Sequence, residues 1–89
     1  MKLERWQTFS KSRQLLFIGS ELERARVWQY DNENNYKIAL ERAMELVDLT
    51  LQDKKWKSDS YQLLYLRNEI AKYYIGEATS GIGELYAAL

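Results

Sequence analysis

Apolar positions recur every three or four residues along most of the chain, and this spacing predicts amphipathic helices. A first stripe consists of Leu15, Ile18, Leu22 and Ala25, with Trp28 close to the same line. Proline is absent, and the glycines stand only at positions 19, 76, 81 and 83. Because few helix-breaking residues occur before position 76, we predict an all-α fold, a small antiparallel helical bundle with three main helices.

The first helix is predicted over about 11–30, with Ser10 and Ser12 as candidate N-caps. Gly19 lies inside it, and it either weakens the helix or marks a place where another helix packs closely. The polar run 31–35 contains three asparagines, whose side chains bond their own backbone and favour turns. The helices on either side of this run should form an antiparallel hairpin.

The second helix is predicted over about 36–52, with Asn34 or Asn35 as its cap and a stripe of apolar residues from Tyr36 to Leu51. A polar connection at 53–59 separates it from a third helix over about 60–76, for which Ser58 or Asp59 is the candidate cap. Residues 77–89 form a C-terminal segment. It is either a final short helix or a tail that only a partner orders.

Composition limits the chemistry that this chain can perform. The 89 residues form a single domain, and 46% hydrophobic with 29% charged residues are typical of a folded globule. Cysteine and histidine are absent, which removes disulfides, thiol nucleophiles, the usual zinc ligands and imidazole acid/base catalysis. We therefore predict no catalytic residue, no metal, no cofactor and no enzymatic activity.

Charge also restricts the expected partners. Thirteen basic residues balance thirteen acidic ones, so no net field attracts the molecule to nucleic acid or to an anionic membrane. The excess of basic residues over 1–26 and of acidic residues over 27–53 indicates attraction between these parts of the fold. No window approaches the ~18 apolar residues of a membrane span. We expect no membrane association and a cytoplasmic location.

One cluster combines basic and aromatic side chains, namely Lys54, Lys55, Trp56 and Lys57. Lysine binds phosphate and an indole stacks on a base, so these four residues are candidate nucleic-acid contacts. Acidic residues flank the cluster at Asp53 and Asp59, which favours the alternative of a solvated helix junction. We do not expect nucleic acid to be the main partner.

The segment 67–74, Arg-Asn-Glu-Ile-Ala-Lys-Tyr-Tyr, resembles the signature of HEPN domains, helical bundles that often accompany small nucleotidyltransferases and that include ribonuclease toxins. In that family an Arg, commonly followed by Asn, precedes a His on one helix, and a Tyr often follows the His by two residues. Arg67, Asn68 and Tyr74 match, while Lys72 stands where the His would be.

This departure decides what the resemblance implies about activity. An unperturbed lysine has a pKa of about 10.4 and arginine one above about 12, so the pair is a poor acid/base couple near neutral pH. The resemblance therefore implies a non-catalytic relative, a partner of a nucleotidyltransferase or toxin system that binds protein or RNA through Arg67, Asn68, Lys72 and Tyr74. The alternative is an ordinary third helix whose Arg67 pairs with an acid on the second helix.

Aromatic residues are numerous, with seven Tyr, three Trp and two Phe. They either fill a thin core with their polar atoms at its edge, or belong to apolar arcs too wide for one bundle and covered by a second copy. The sequence thus favours a non-enzymatic protein–protein interaction module that forms a homodimer and binds a further protein partner. The HEPN-like partner protein is the alternative.

Overall fold

The structure, a computed structural model, describes residues 1–78 and 80–89. The helices in this part of the chain are α1 (Leu3–Trp6), α2 (Lys11–Trp28), α3 (Glu33–Leu51), a 3₁₀ helix (Lys54–Asp59), α4 (Ser60–Tyr74) and α5 (Gly83–Ala87). No strand occurs among the described residues. The prediction of an all-α fold is confirmed.

Helix α2 begins where the sequence indicated. The Ser10 hydroxyl accepts a hydrogen bond from the Arg13 backbone N–H at 3.2 Å, which satisfies one of the free donors of the first turn. The stripe faces the interior, since Ile18, Leu22 and Ala25 are completely buried. The helix ends at Trp28, two residues before the predicted end.

A single helical turn, α1, precedes α2 and was not predicted. This turn places Trp6 in the core, where it is fully buried. The Trp6 indole N–H donates at 3.0 Å to the hydroxyl of Thr50, which lies in the last turn of α3. Thr50 in turn donates to the Leu46 carbonyl at 2.7 Å. The turn is too short to stand alone, so its conformation depends on this contact with α3.

Helix α3 begins at Glu33, three residues before the predicted start, and the predicted caps Asn34 and Asn35 are wrong. The cap is Asn32, whose side-chain oxygen accepts the Asn35 backbone N–H at 3.0 Å. Several nearby asparagines have the side chain needed to cap a helix, and Asn32, the first of them, is the one that does so. The four-residue connection 29–32 turns α3 back along α2.

The connection 53–59 is more ordered than predicted, because it forms the 3₁₀ helix. Asp53 caps it by accepting the Lys55 backbone N–H at 3.1 Å. Asp59 precedes α4 as predicted but makes no side-chain capping bond there, since its carboxylate pairs with Lys11 at 2.7 Å. An ion pair with α2 has replaced the local cap.

Helix α4 ends at Tyr74, two residues before the predicted end, and Gly76 lies just beyond its C-cap Ile75. Gly76 has φ +83°, a left-handed conformation that side chains disfavour. The Glu77 N–H donates to the Lys72 carbonyl at 2.9 Å, and the Gly76 N–H donates to the Tyr73 carbonyl at 3.3 Å. These two bonds form a Schellman motif that satisfies carbonyls at the helix end.

Helix α3 is the centre of the bundle, because α2 and α4 pack on its two sides. Arg67 pairs with Asp48 and Tyr74 bonds Glu41, so residue numbers rise on α4 as they fall on α3 and the two helices are antiparallel.

The molecule measures 36 × 22 × 19 Å. No helix among the described residues has the length and apolar character needed to cross a membrane. Fifteen apolar residues form the core: Trp6, Ile18, Leu22, Ala25, Tyr36, Ala39, Leu40, Ala43, Val47, Trp56, Leu63, Leu66, Ile70, Tyr73 and Ile82.

Candidate functional site: an apolar groove bounded by α2, α4 and α5

An open groove of 610 Å³ runs between the start of α2, the first half of α4 and the C-terminal segment. We call it the α2–α4–α5 groove. Most of its wall is aliphatic or aromatic, with one carboxylate and one amide at its edge. Its lining residues are Leu15, Trp56, Asp59, Tyr61, Gln62, Leu63, Tyr65, Leu66, Leu85, Ala88 and Leu89.

The outer face of α4 continues the groove onto the surface. Tyr61 is 87% exposed, Tyr65 is 65% exposed and Leu64 is 48% exposed. With the exposed Asn68, these side chains follow the three-and-four spacing of one helix face, and we call the four the α4 ridge. Tyr61 and Tyr65 belong to both the ridge and the groove. A convex apolar strip therefore stands directly beside a concave apolar one.

The third wall of the groove is the C-terminal segment, which packs on its own chain. Ile82 is fully buried, and Gln29 binds the backbone on either side of Gly81, accepting the Ile82 N–H at 2.8 Å and donating to the Ser80 carbonyl at 3.1 Å. Gly19 leaves room for this segment: a Cβ there would lie 3.4 Å from both Tyr86 and Leu89. Of the two alternatives for Gly19, the close packing of another segment is the one observed.

A buried polar network supports the base of the groove. Trp56 is almost fully buried and its indole N–H donates to the Gln14 side-chain oxygen at 2.5 Å. The Gln14 amide nitrogen donates to the Trp6 carbonyl and to the Asp53 carboxylate, each at 2.9 Å. Gln14 thus connects α1, α2 and the 3₁₀ helix, and it fixes the indole that the groove exposes at its edge.

The carboxylate in this network is charged despite its position. Burial raises the pKa of Asp53, but hydrogen bonds from the Lys55 ammonium and the Gln14 amide, with the Lys55 backbone N–H, outweigh that effect and hold the pKa below its ordinary value. The Lys55 ammonium lies 2.5 Å from the carboxylate and also donates to the Gln7 carbonyl at 3.1 Å. The Lys55 ammonium is therefore engaged in contacts within the protein.

The structure distributes the basic–aromatic cluster over different environments. Trp56 lies inside the network, with the Lys11 ammonium 5.0 Å from its ring centre. Lys54, Lys55 and Lys57 are exposed, and the Lys55 ammonium pairs with Asp53. Because Trp56 is almost fully buried, its ring is not free to stack on a base beside these lysines.

The residues of the HEPN-like segment are also divided between two sides of α4. The Arg67 guanidinium bonds the Asp48 carboxylate at 2.9 Å and the Met44 sulfur at 3.0 Å, so Arg67 pairs with an acid on the preceding long helix. Tyr74 donates to Glu41 at 3.3 Å on the same helix. On the other side, Asn68 is exposed on the α4 ridge and Lys72 pairs with Glu69 at 2.8 Å.

Sequence reasoning missed Gln14 and the groove. Gln14 stands one turn before Ile18 on the apolar stripe of α2, and a polar residue at a stripe position was the signal that could have identified it. The groove has no such signal, because Leu85, Leu89 and Tyr61 meet only after the C-terminal segment folds back onto α2.

No group of acidic side chains suited to hold a metal ion occurs in residues 1–78 and 80–89. Comparison with models of protein families, with curated proteins and with solved structures gave no match for this chain.

Proposed function

We propose that this protein is a non-catalytic interaction module that associates with a second copy of itself through the α2–α4–α5 groove and the α4 ridge. The observation that carries the proposal is the exposure of Tyr61, Leu64 and Tyr65 on a helix face next to an unfilled apolar groove. Contiguous exposed apolar surface of this kind is typical of protein interfaces.

The adjacency of ridge and groove favours a second copy over an unrelated partner. In a two-fold dimer the same patch lies on both sides, so a patch must complement itself. Here a ridge can enter the groove of the second copy while that copy's ridge enters the first groove. Tyrosine is suited to this position, because it offers a large apolar area and a polar tip at low cost in side-chain entropy.

Charge and size are compatible with this pairing. The chain has no net charge, so two copies do not repel one another as wholes. A standard interface removes about 800 Å² from each partner. That is about one seventh of the 5826 Å² accessible surface of this chain, an area that one face of α4 with the neighbouring groove can supply. Asn68, polar at the edge of the ridge, would fix the register of the paired helices.

The test is the mass of the protein in solution over a range of concentrations, by sedimentation equilibrium. We expect a dimer at tens of micromolar and a monomer for the double variant Tyr61→Glu, Tyr65→Glu, since two carboxylates in an apolar interface cannot be desolvated cheaply. Val27→Glu is the matched control, because Val27 is 50% exposed but lies outside the groove and the ridge.

A wild-type monomer at those concentrations would refute the proposal. A dimer that the double variant does not weaken would equally refute the assignment of the interface to α4. Shortening the chain at Gly76 is a poorer test, since it would uncover the face of α2 on which the fully buried Ile82 packs.

A further inference from the structure

A second pocket lies at the end of the bundle where α2 stops, α3 begins and α4 ends. It has a volume of 500 Å³, and its wall includes four tyrosines, Tyr30, Tyr36, Tyr73 and Tyr74. Glu33 and Lys37, one turn apart on α3, complete its mouth. We call it the tyrosine pocket. It is separate from the groove, and the two share no lining residue.

The rings converge from the 29–32 connection (Tyr30), from α3 (Tyr36) and from the end of α4 (Tyr73 and Tyr74). Burial, then the nearby Tyr73 and Tyr30, raises the pKa of the Tyr36 phenol to about 12. Burial is the larger cause of this shift, and the smaller effect of Tyr73 and Tyr30 indicates that the three phenols are neighbours. The Tyr36 phenol therefore stays neutral at physiological pH, and aromatic faces rather than a phenolate charge line this part of the pocket.

An ammonium group already occupies the mouth. The Lys37 Nζ lies 5.5 Å from the centre of the Tyr74 ring and 3.7 Å from the Glu33 carboxylate. Tyr74 also donates its hydroxyl hydrogen to Glu41 at 3.3 Å, which increases the electron density of the ring that faces the cation. The combination of an aromatic face and a carboxylate is the chemistry by which proteins recognise ammonium ligands.

Lys37 is held weakly in this position. Its side chain is 44% exposed and that of Glu33 is 82% exposed, and exposed pairs at this spacing contribute little. An external cation can therefore displace the Lys37 ammonium without unfolding any element. We propose that the tyrosine pocket binds a quaternary or protonated amine, with Tyr74 facing the cation and Glu33 providing the opposite charge, and that Lys37 occupies the site until the amine arrives.

The test uses choline as the probe and the tyrosine ring resonances in NMR spectra as the readout. We expect saturable shifts at Tyr36, Tyr73 and Tyr74, and about fivefold tighter binding to Lys37→Met, since that variant lacks the competing ammonium. Tyr74→Leu should bind about fivefold more weakly, whereas Tyr74→Phe, which keeps the ring, should retain most of the affinity.

Two controls distinguish a cation site from nonspecific apolar binding. The first is 3,3-dimethylbutan-1-ol, a neutral molecule with the shape of choline, which should bind more weakly by at least the same factor. The second is Tyr86→Leu, which removes a partly exposed tyrosine of α5 that lines neither this pocket nor the groove and should leave the affinity for choline unchanged. Circular dichroism of each variant verifies that its helices are intact.

A parallel titration with a capped Nε-trimethyllysine amide distinguishes the source of the amine. Tighter binding of choline indicates a free small molecule, and tighter binding of the lysine derivative indicates a modified side chain of a peptide. No saturable shift with either probe in Lys37→Met, or equal affinity for the neutral alcohol, would overturn the proposal. An equal loss in Tyr86→Leu and Tyr74→Leu would overturn the assignment to this pocket.

Discussion

Replacing Gln14 with leucine is expected to destabilise the fold strongly, although leucine has a similar size and increases the apolar content of the core. Gln14 is fully buried and makes three hydrogen bonds, with Trp56, Trp6 and Asp53. Two of these partners keep another donor in the variant. The Trp6 carbonyl still accepts from the Phe9 N–H at 3.2 Å, and the Asp53 carboxylate still accepts from Lys55.

The indole N–H of Trp56 has no such replacement, since the Gln14 oxygen is the acceptor that the fold provides for it. An unpaired buried donor costs about 1–3 kcal/mol, and the lost bond to the charged Asp53 adds about 1.5 kcal/mol. Leucine recovers part of this through its apolar surface. We therefore expect Gln14→Leu to lower the free energy of unfolding by about 3 kcal/mol.

Urea unfolding, followed by the circular dichroism signal of the helices at 222 nm, measures this difference. With a slope of about 1–1.5 kcal/mol per molar urea, the midpoint should fall by about 2–3 M. Gln7→Leu is the control, because Gln7 is exposed and its substitution should change stability by less than about 0.5 kcal/mol. Equal midpoints for the two variants at equal protein concentration would refute the role assigned to the buried amide.

Two further predictions concern Asp53 and Gly76. Because the pKa of Asp53 is lower in the folded than in the unfolded chain, its contribution to stability is complete above about pH 4 and is lost as the pH falls through the folded value. Urea midpoints at pH 6 and pH 3 should accordingly differ less for Asp53→Asn than for the wild type, and an identical difference would contradict this. Gly76→Ala should cost about 1 kcal/mol, because alanine at φ +83° is strained even though the space around the Cβ is open; an unchanged thermal midpoint would show that the helix end can rearrange.

Periodicity was sufficient to predict α2, because its buried stripe recurs without interruption and a serine stands at the start. It could not place the beginning of α3, since Asn32, Asn34 and Asn35 offer the same capping chemistry and the local sequence does not rank them. It also could not reveal α1, whose four residues are too few to show a period.

The candidate sites depended even more on tertiary structure. Trp56 appeared available to a ligand because lysines surround it, yet its indole is engaged by Gln14, 42 residues away. Arg67 appeared in a family-like motif, yet its guanidinium faces Asp48 on α3. The tyrosine pocket combines residues from the 29–32 connection, α3 and α4, and no local pattern in any one of them indicates that the rings converge.

The position of the C-terminal segment has a consequence for how the chain folds during synthesis. Its contacts with Gly19 join residues 67 and 70 positions apart, those of Tyr86 and Leu89, whereas α2 and α3 are joined by a short turn. At a translation rate of about 5–20 residues per second, residues 86–89 are synthesised about 4–14 s after Gly19. Until residues 86–89 are made, the face of α2 at Gly19 lacks the side chains that cover it in the folded protein. Because these contacts join residues so far apart in the sequence, we expect the closure of this face to be a late step of folding.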